Sequence, residues 1–446
     1  MAPPAASELT RAAPGARVPC AGAPRPATRR LRVVMLLENN PYPQDTRVRN
    51  EAESLAAAGH RVTVLAPREP GQRVREVVNG VRARRYRPVW AGRSAASYCV
   101  EYAVAHVQLM SRAAIELARG ADVVHFHGPP DTMFLAGVCA RLTGRAVVFD
   151  LHDSGPELFG AKFGSSRVAM WALRAAQRQA VRWADRVIVT NESQLELVRA
   201  RGGRAHPSAS IVRNGPRASD FRAPRAARAG AIGAPRLIYV GALDIQDGVL
   251  ELAEMLTAPR LSRATLTIAG DGPVREELTR RLRANGVAER VTLTGRVPHA
   301  QIPELIAQAD IAVDPAPGSA LNHGSTMIKV MEYMAAGRPL VAYDLRESRR
   351  SAGDTALYAP CGQPTAFAEL VAQLADDDDR RLRMGQIAHR RAVQLSWERS
   401  AEVLEDVYEQ LARDGRRRYA AALLRGRRTS SGRARKARVS APVGES

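Results

Sequence analysis

The sequence predicts an α/β protein of two facing, doubly wound (Rossmann-like) domains with a ligand cleft between them. Three observations carry this. Short, nearly continuous apolar runs alternate with helical stretches across residues 31–412, the pattern of parallel strands covered on both faces. The alternation breaks once, at the Ala/Pro/Gly-rich stretch 216–236, whose composition is that of a linker. The length of 446 residues suffices for two or three domains with full cores. In such folds ligands gather at the carboxyl ends of the strands, and two facing sheets enclose a cleft.

Taken in order, residues 1–30 are Pro/Ala/Arg-rich and aperiodic, and are expected to be a disordered arm. The first domain, 31–215, holds the strand candidates "LRVVMLLE", "HRVTVLA", "ADVVHFH", "RAVVFDLH", "RVIVTN" and "ASIVRN". After the 216–236 linker, the second domain, 237–395, holds "RLIYVGAL", "ATLTIAG", "RVTLTG", "ADIAVDPA", "RPLVAYD" and "TALYAP". A closing helix is expected over 396–413, followed by a disordered basic tail, 414–446.

The formal charge of +21 is unevenly placed. Residues 31–215 carry 26 basic and 16 acidic side chains, whereas residues 216–413 carry 25 and 26. A basic first half favours an anionic partner, such as a membrane surface, and a solvated arginine-rich surface reads equally well. The basic segments lack interleaved aromatics and any recognisable nucleic-acid module, so no nucleic-acid partner is expected. Four cysteines (Cys20, Cys99, Cys139, Cys361) without CxxC spacing indicate neither a zinc cluster nor a disulfide framework, and fit a cytoplasmic, reducing compartment. There is no 18-residue apolar run and no signal-peptide core, so a spanning segment is not expected. A peripheral position at the inner face of the plasma membrane would follow from the charge.

"IAGDGPVREEL" places Gly270, Asp271, Gly272 and Pro273 between a strand and a helix. Glycine there lets a backbone approach a phosphate or ribose, while Gly-Asp-Gly-Pro is equally a tight turn. "YVGALDIQDGVLEL" repeats the shape, with Gly241 after the strand and Gly248 at a helix start. Further on, "HGSTMIKVMEYMAAGRPLVAYD" predicts a helix from about Thr326 to Ala336, with Met327, Val330, Met331 and Met334 on one buried face. Lys329 and Glu332 fall together off that stripe. They are either a surface ion pair worth under ~1 kcal/mol or a working pair beside the two glycine loops. The helix start at Ser325–Ile328 offers free N–H groups and a positive dipole end suited to a diphosphate. Glu332, one turn deeper, suits two ribose hydroxyls. Together these form a nucleoside-diphosphate site built from three strand ends.

With "YVGAL", "TIAGDGP", "VTLTGRVPHAQIPELIAQADIAVDPA" and "KVMEYMAAGRPLVAYD" in that order, the second half resembles the donor domain of a GT-B-fold, family-four glycosyltransferase. The first half resembles that family's acceptor domain through "NNPYPQDTRVRNEAESLAAAGHRVTVLAP" and "VVFDLHD". "SWERSAEVLEDVYEQL" is similar to the family's closing helix, which crosses back to the first domain. The resemblance covers roughly residues 31–412 and implies a GT-B type fold. It also implies transfer of a sugar from a nucleoside-diphosphate sugar to a hydroxyl of a glycan or lipid-linked acceptor, with retention and without a metal or other cofactor. The branch it points to is associated with surface-polysaccharide assembly.

Implied donor-site residues are Gly241, Gly270, Asp271, Gly272, Pro273, Val297, Lys329 and Glu332. His152 and Lys329 are the catalytic candidates. His152 stands where similar enzymes place a histidine against the donor sugar, and a capping histidine at a strand end is the plainer reading. Arg47, Arg49 and Asp153 are candidates for the acceptor or phosphate side. Many members carry Glu-x7-Glu, and here the first position is Gly324. Many also carry an Arg and a Lys after the "VG" strand, where this chain has Ala242 and Asp247, which leaves Lys329 as the expected cation at the diphosphate. In "HFHGPPD", His125 and His127 are expected to point to opposite faces of a strand, which opposes a shared metal. Two other classes stay open at this point: a GT-B-fold sugar-nucleotide epimerase, turning over without an acceptor, and a non-catalytic basic binding protein.

Overall fold

The computed structural model describes residues 29–88, 95–164, 166–202, 208–221 and 234–415. The expected arm and tail fall outside these residues apart from 29–30 and 414–415, as does most of the expected linker. The first sheet is built from β1 (Arg32–Leu36), β2 (Arg61–Pro67), β3 (Arg75–Val78), β4 (Val81–Tyr86), β5 (Val123–Gly128), β6 (Ala146–Leu151), β7 (Arg186–Val189) and β8 (Ala209–Ile211). Its strand order is β3-β4-β2-β1-β5-β6-β7-β8. The second sheet is built from β9 (Arg236–Val240), β10 (Thr265–Ala269), β11 (Val291–Gly295), β12 (Ile311–Asp314), β13 (Leu340–Tyr343) and β14 (Ala356–Ala359). Its order is β11-β10-β9-β12-β13-β14.

Every strand pairing is parallel except β3 with β4. Parallel strands need helical crossovers on both faces, and the buried runs in β2, β5, β6 and β9 reflect that cover. The strand order reverses beside β1 and beside β9, which is where such sheets open a crevice at their carboxyl ends.

All twelve strand candidates form strands, and the structure adds the β3–β4 hairpin. Its signal was Asn79-Gly80, whose φ values of 48° and 82° supply the two positive angles of a tight hairpin turn. The closing helix, residues 397–415, leaves the second domain and completes the core of the first. Trp397, Leu404, Val407, Tyr408 and Leu411 pack with Val33, Met35, Val48 and Leu55, and Trp397 Nε1 donates to Ser54 Oγ at 3.0 Å. Among the described residues, no helix is long and apolar enough to cross a membrane.

The helix predicted over Thr326–Ala336 runs Ile328–Ala335, with Met327 as its N-cap. It is not amphipathic in the expected sense. Lys329 to Ala335 are all buried, and Ile328 at the helix start is exposed.

Candidate active site

The two sheets face each other across a pocket of about 370 Å³, within the roughly 300–1,000 Å³ of small-molecule sites. Asp153 and Leu158 line it from the first domain. Gly241, Asp247, Asn322, Ser325–Ile328, Lys329 and Glu332 line it from the second. The opening of the Ile328–Ala335 helix therefore faces the space between the domains, with its first-turn N–H groups at the wall. Polar links hold the domains at this spacing. Asn191 Nδ2 donates to Gly324 O at 3.0 Å and Thr326 Oγ1 at 3.1 Å, Ser193 Oγ donates to Glu347, and Arg350 pairs with Glu196 at 2.8 Å. Gly324, where many relatives carry their first glutamate, has open space around its missing Cβ.

Lys329 and Glu332 do not pair with each other. They are 8% and 5% exposed, so the surface-pair reading fails. Lys329 Nζ bonds Asp247 Oδ1 at 2.8 Å and Tyr239 Oη at 3.1 Å, with Asp314 at 3.5 Å. Burial opposes its charge, but Asp314, Tyr239 and Asp247 hold the ammonium well above its ordinary pKa. Asp314 exerts the larger pull on the ammonium and Asp247 makes the shorter contact, so the two acids share the counter-charge. The position where relatives carry a cation thus holds one of the acids that neutralise Lys329. Glu332 accepts from His299 Nε2 at 3.1 Å, and that bond raises the pKa of His299.

The glycines divide into two roles. A Cβ on Gly241 would lie 3.1 Å from Lys329 Cε and 3.2 Å from Nζ, so Gly241 makes room for the ammonium. A Cβ on Gly270 would sit 1.8 Å from Gly241 O, and one on Gly272 would sit 2.4 Å from Leu243 O. Gly270 and Gly272 therefore let the loops after β9 and β10 lie against one another. Leu243 N donates to Asp271 O at 3.1 Å, and Val274 N donates back to Leu243 O. Gly270, Asp271, Gly272 and Pro273 brace the Gly241 loop from behind and do not line the pocket. Val297 is half-buried and packs on the domain core near Ile302 and Ile306.

On the first domain, His152 follows the end of β6, and Asp153 beside it is exposed at the pocket. His152 Nδ1 meets Asp150 Oδ2 at 3.0 Å. Burial opposes a charge on the ring, but Asp150, by charge and hydrogen bond, and Asp153 outweigh it and the opposing Arg47, and raise His152 to about 9. Asp150 is fully buried. Burial alone would raise its pKa, but Arg47, His152 and His127 hold it well below the carboxylate range.

Arg47, a candidate for the phosphate side, is instead 6% exposed and has four of its five N–H groups bonded within the first domain. Nε and Nη2 each bond Asp150 at 2.7 Å, and Nη1 bonds Val212 O at 2.8 Å and Asn214 Oδ1 at 2.6 Å. Its Nε also lies 3.1 Å from Glu51. Arg49 is half-buried beside a small pocket shared with His299, Ile328 and Glu332, and so keeps the inter-domain position. His125 and His127 do not point to opposite faces of β5. Residues i and i+2 of a strand share one face, and the two rings stack at 4.4 Å. With Glu51 and Asp150 they bring four possible ligand atoms within 4.8 Å. Arg47 holds both Asp150 oxygens and approaches Glu51, so it already serves as the cation of this cluster. Burial, reinforced by Asp150, pushes the Glu51 carboxyl well above its ordinary pKa.

Sequence reasoning missed Tyr239, Asp314, His299 and Asn191. Each lies at a strand end or in a loop that was quoted for its shape, but its partner is distant in sequence, as with Lys329 and Tyr239, 90 residues apart.

Comparison with known proteins fits this geometry. Residues 44–215 match a family described as a glycosyl transferase 4-like domain, and residues 234–377 match glycosyl transferases group 1. Alpha-D-kanosaminyltransferase of Streptomyces kanamyceticus is 28% identical over 317 residues, 68% of this chain and 81% of that one. Sucrose-phosphate synthase of Thermosynechococcus elongatus superposes with a TM-score of 0.64 at 20% identity, over 85% of this chain and 99% of that one. HepE of Anabaena, solved with UDP and glucose, superposes with a TM-score of 0.64 at 16% identity, over 86% and 99%. A doubly wound domain pair, a pocket at the facing strand ends and these matches agree: the chain is a GT-B-fold glycosyltransferase of family-four type.

Proposed function

We propose that this glycosyltransferase moves a sugar from a nucleoside-diphosphate sugar to a hydroxyl of a glycan or lipid-linked acceptor. In this reading the anomeric configuration is retained and no resident metal takes part. The observation that carries it is the two-sided pocket. A helix opening, the Gly241 loop and Glu332 stand on one wall, and His152 with Asp153 stand near the other. The structural neighbour HepE was solved with UDP and glucose, which supports a nucleotide donor. In this arrangement Glu332 holds the ribose, the first-turn N–H groups of the Ile328–Ala335 helix meet the diphosphate, and His152 touches the sugar. The acceptor hydroxyl passes its proton to the departing phosphate, so no separate base is needed. Among the described residues, the His/carboxylate cluster that could hold an ion is already paired by Arg47, which supports the metal-free reading.

The test is thermal-shift screening of the full chain against a panel of nucleotide sugars with and without EDTA. A selective donor should raise Tm by mass action, and product from an added acceptor should keep the anomeric configuration by NMR. No stabilisation by any nucleotide sugar would overturn the reading. Turnover of the donor without an acceptor would favour the epimerase.

A peripheral, cytoplasmic position at an anionic membrane during polysaccharide assembly is part of the proposal. The helix Arg167–Trp183 supports it. Arg167, Trp171, Arg174, Arg178 and Arg182 fall on one exposed face, with Val168 and Trp171 76% and 68% exposed. Anionic liposomes should sediment the protein, less so at higher salt, and Trp171→Ala with Arg174→Ala should weaken this. Equal binding to neutral liposomes, or loss of all binding on removing residues 414–446, would overturn it.

A further inference from the structure

Asn191 stands just past the end of β7 in the first domain, fully buried, with both polar atoms of its side chain engaged. Its Oδ1 accepts from Gln194 N at 2.8 Å. A backbone N–H can only donate, so the amide cannot be turned the other way round. Its Nδ2 therefore faces the second domain, where it donates to Gly324 O at 3.0 Å and Thr326 Oγ1 at 3.1 Å. Gly324 O can only accept, which fixes the same orientation from the far side.

Gln194, also buried, is set in the same manner. Its Oε1 accepts from Thr190 N at 2.9 Å and Thr190 Oγ1 at 2.7 Å, so its Nε2 is left to donate to His152 O, at 2.8 Å. One directed chain of hydrogen bonds thus runs from the His152 backbone on one wall of the pocket to Gly324 and Thr326 on the other.

The chain leaves one proton over. Thr326 Oγ1 accepts from an amino group that has no lone pair to offer, so its own O–H points elsewhere. Among the described residues that proton has no acceptor, and Thr326 lines the pocket between the domains. Ser325 beside it has already spent its hydroxyl on Leu321 O at 2.8 Å. Of these two neighbouring hydroxyls, the one on Thr326 is available to a ligand.

We propose that Thr326 is a donor-binding residue whose hydroxyl donates to a phosphate oxygen of the nucleoside diphosphate, with Asn191 as the positioning residue that turns it there. This rests on the glycosyltransferase reading above and adds which side chain at the helix opening touches the diphosphate. An anionic oxygen is the acceptor such a hydroxyl favours, because a hydrogen bond to an ionised partner is about twice as strong as a neutral one. Asn191 and Thr326 belong to different domains, so the proton is steered only while the domains stand at this spacing. Through Gln194 the same contact also sets the His152 backbone.

The test is calorimetric titration of the full chain with UDP, GDP, ADP and dTDP in turn, carried forward with the tightest binder. Thr326→Val keeps the side chain's shape without its hydroxyl, and should weaken that affinity about tenfold, the scale of one hydrogen bond to a charged group. Thr326→Ser should restore most of the loss, and the Tm of the ligand-free chain should hardly change in either variant. Asn191→Asp places a carboxylate that can only accept, so it takes the Thr326 proton and should also weaken binding. Combined with Thr326→Val it should cost less than it costs alone, as for residues acting through one contact. Should Asn191→Asp not fold, Asn191→Ala serves in its place. Unchanged affinity in Thr326→Val, no recovery in Thr326→Ser, or losses at the two positions that simply add would overturn the proposal and leave the glycosyltransferase reading standing. A wild-type chain that binds none of the four diphosphates would overturn both.

Discussion

The two walls of the pocket are built on the same device with opposite outcomes. In each, one basic side chain is buried among acids at the carboxyl end of a parallel strand. Arg47 is held by Asp150 and Glu51 in the first domain, and Lys329 by Asp247 and Asp314 in the second. On the donor wall both acids turn toward the lysine, and the cluster is self-contained. On the other wall Asp150 is shared among Arg47, His127 and His152, the last of which precedes pocket-lining Asp153. Formal residue counts would assign the positive charge of the active site to Lys329. Pairing removes it there, because Asp247 and Asp314 already answer the ammonium. What matters to a ligand is charge left over after pairing.

The sharpest way to break this comparison is Lys329→Ala. It leaves Asp247 and Asp314 facing each other without a cation, at a cost of about 3–5 kcal/mol for a broken buried pair. A fall in Tm is expected, together with a loss of roughly 10²-fold in kcat. Adding Asp247→Asn should recover much of the Tm. If it recovers kcat as well, Lys329 acts only by neutralising Asp247. If kcat stays low, the lysine also touches the diphosphate.

His152→Ala should lower kcat by roughly 10²–10³-fold, the scale of one lost electrostatic donor. Nucleotide affinity by calorimetry should stay within about twofold, since His152 lies across the pocket from the nucleotide wall. Joint loss of nucleotide binding and Tm would make it a structural histidine.

Glu332→Gln should act on binding, raising donor KM by about tenfold with kcat little changed, because the ribose is the same before and after reaction. His299 should then lose the bond that raises its pKa, and its own NMR titration should move down. A kcat effect as large as that of His152→Ala would remove the distinction between the walls.

The smallest effect is on stability against pH. His152 titrates near 9 when folded and near 6.5 when unfolded. Its pairing with Asp150 is therefore fully stabilising below pH 6.5 and is lost as pH rises through 9. Glu38, raised to about 8 chiefly by burial and then by Glu101, also loses stability as pH rises, over 4.5 to 8. The difference between wild type and His152→Ala isolates the histidine. Tm should fall more in the wild type than in the variant between pH 7 and 9.5, and parallel curves would count against the shared-carboxylate account.

The sequence made the sheets legible because parallel strands buried on both faces write continuous apolar runs. It hid β3 and β4, where Arg75, Arg82 and Arg84 interrupt the run and only Asn79-Gly80 marks a turn. The site was legible where a motif is local, as with the Gly241 loop, the helix at Ile328 and His152. It was illegible where a side chain's role depends on its partner. Arg47 reads as a free cation in "TRVRN", and only folding brings Asp150 to it from 103 residues away. Lys329 reads as free for the same reason. His125 and His127 were misjudged on strand geometry alone, since their spacing of two already places them on one face.

The helix 397–415 carries a consequence for how the molecule comes into being. Trp397, Leu404, Val407, Tyr408 and Leu411 belong to the hydrophobic cluster of the first domain, and Tyr408 Oη meets His125 Nδ1 at 3.0 Å. On the ribosome, domains generally fold from the amino end as they emerge. Here the first domain is left with an open apolar flank until the final described helix is synthesised. Its two halves are therefore not separable parts for expression or for chimeras. A graft cut at the linker would strand the helix on the wrong partner, and an exchange between relatives has to move residues 397–415 with the amino-terminal half.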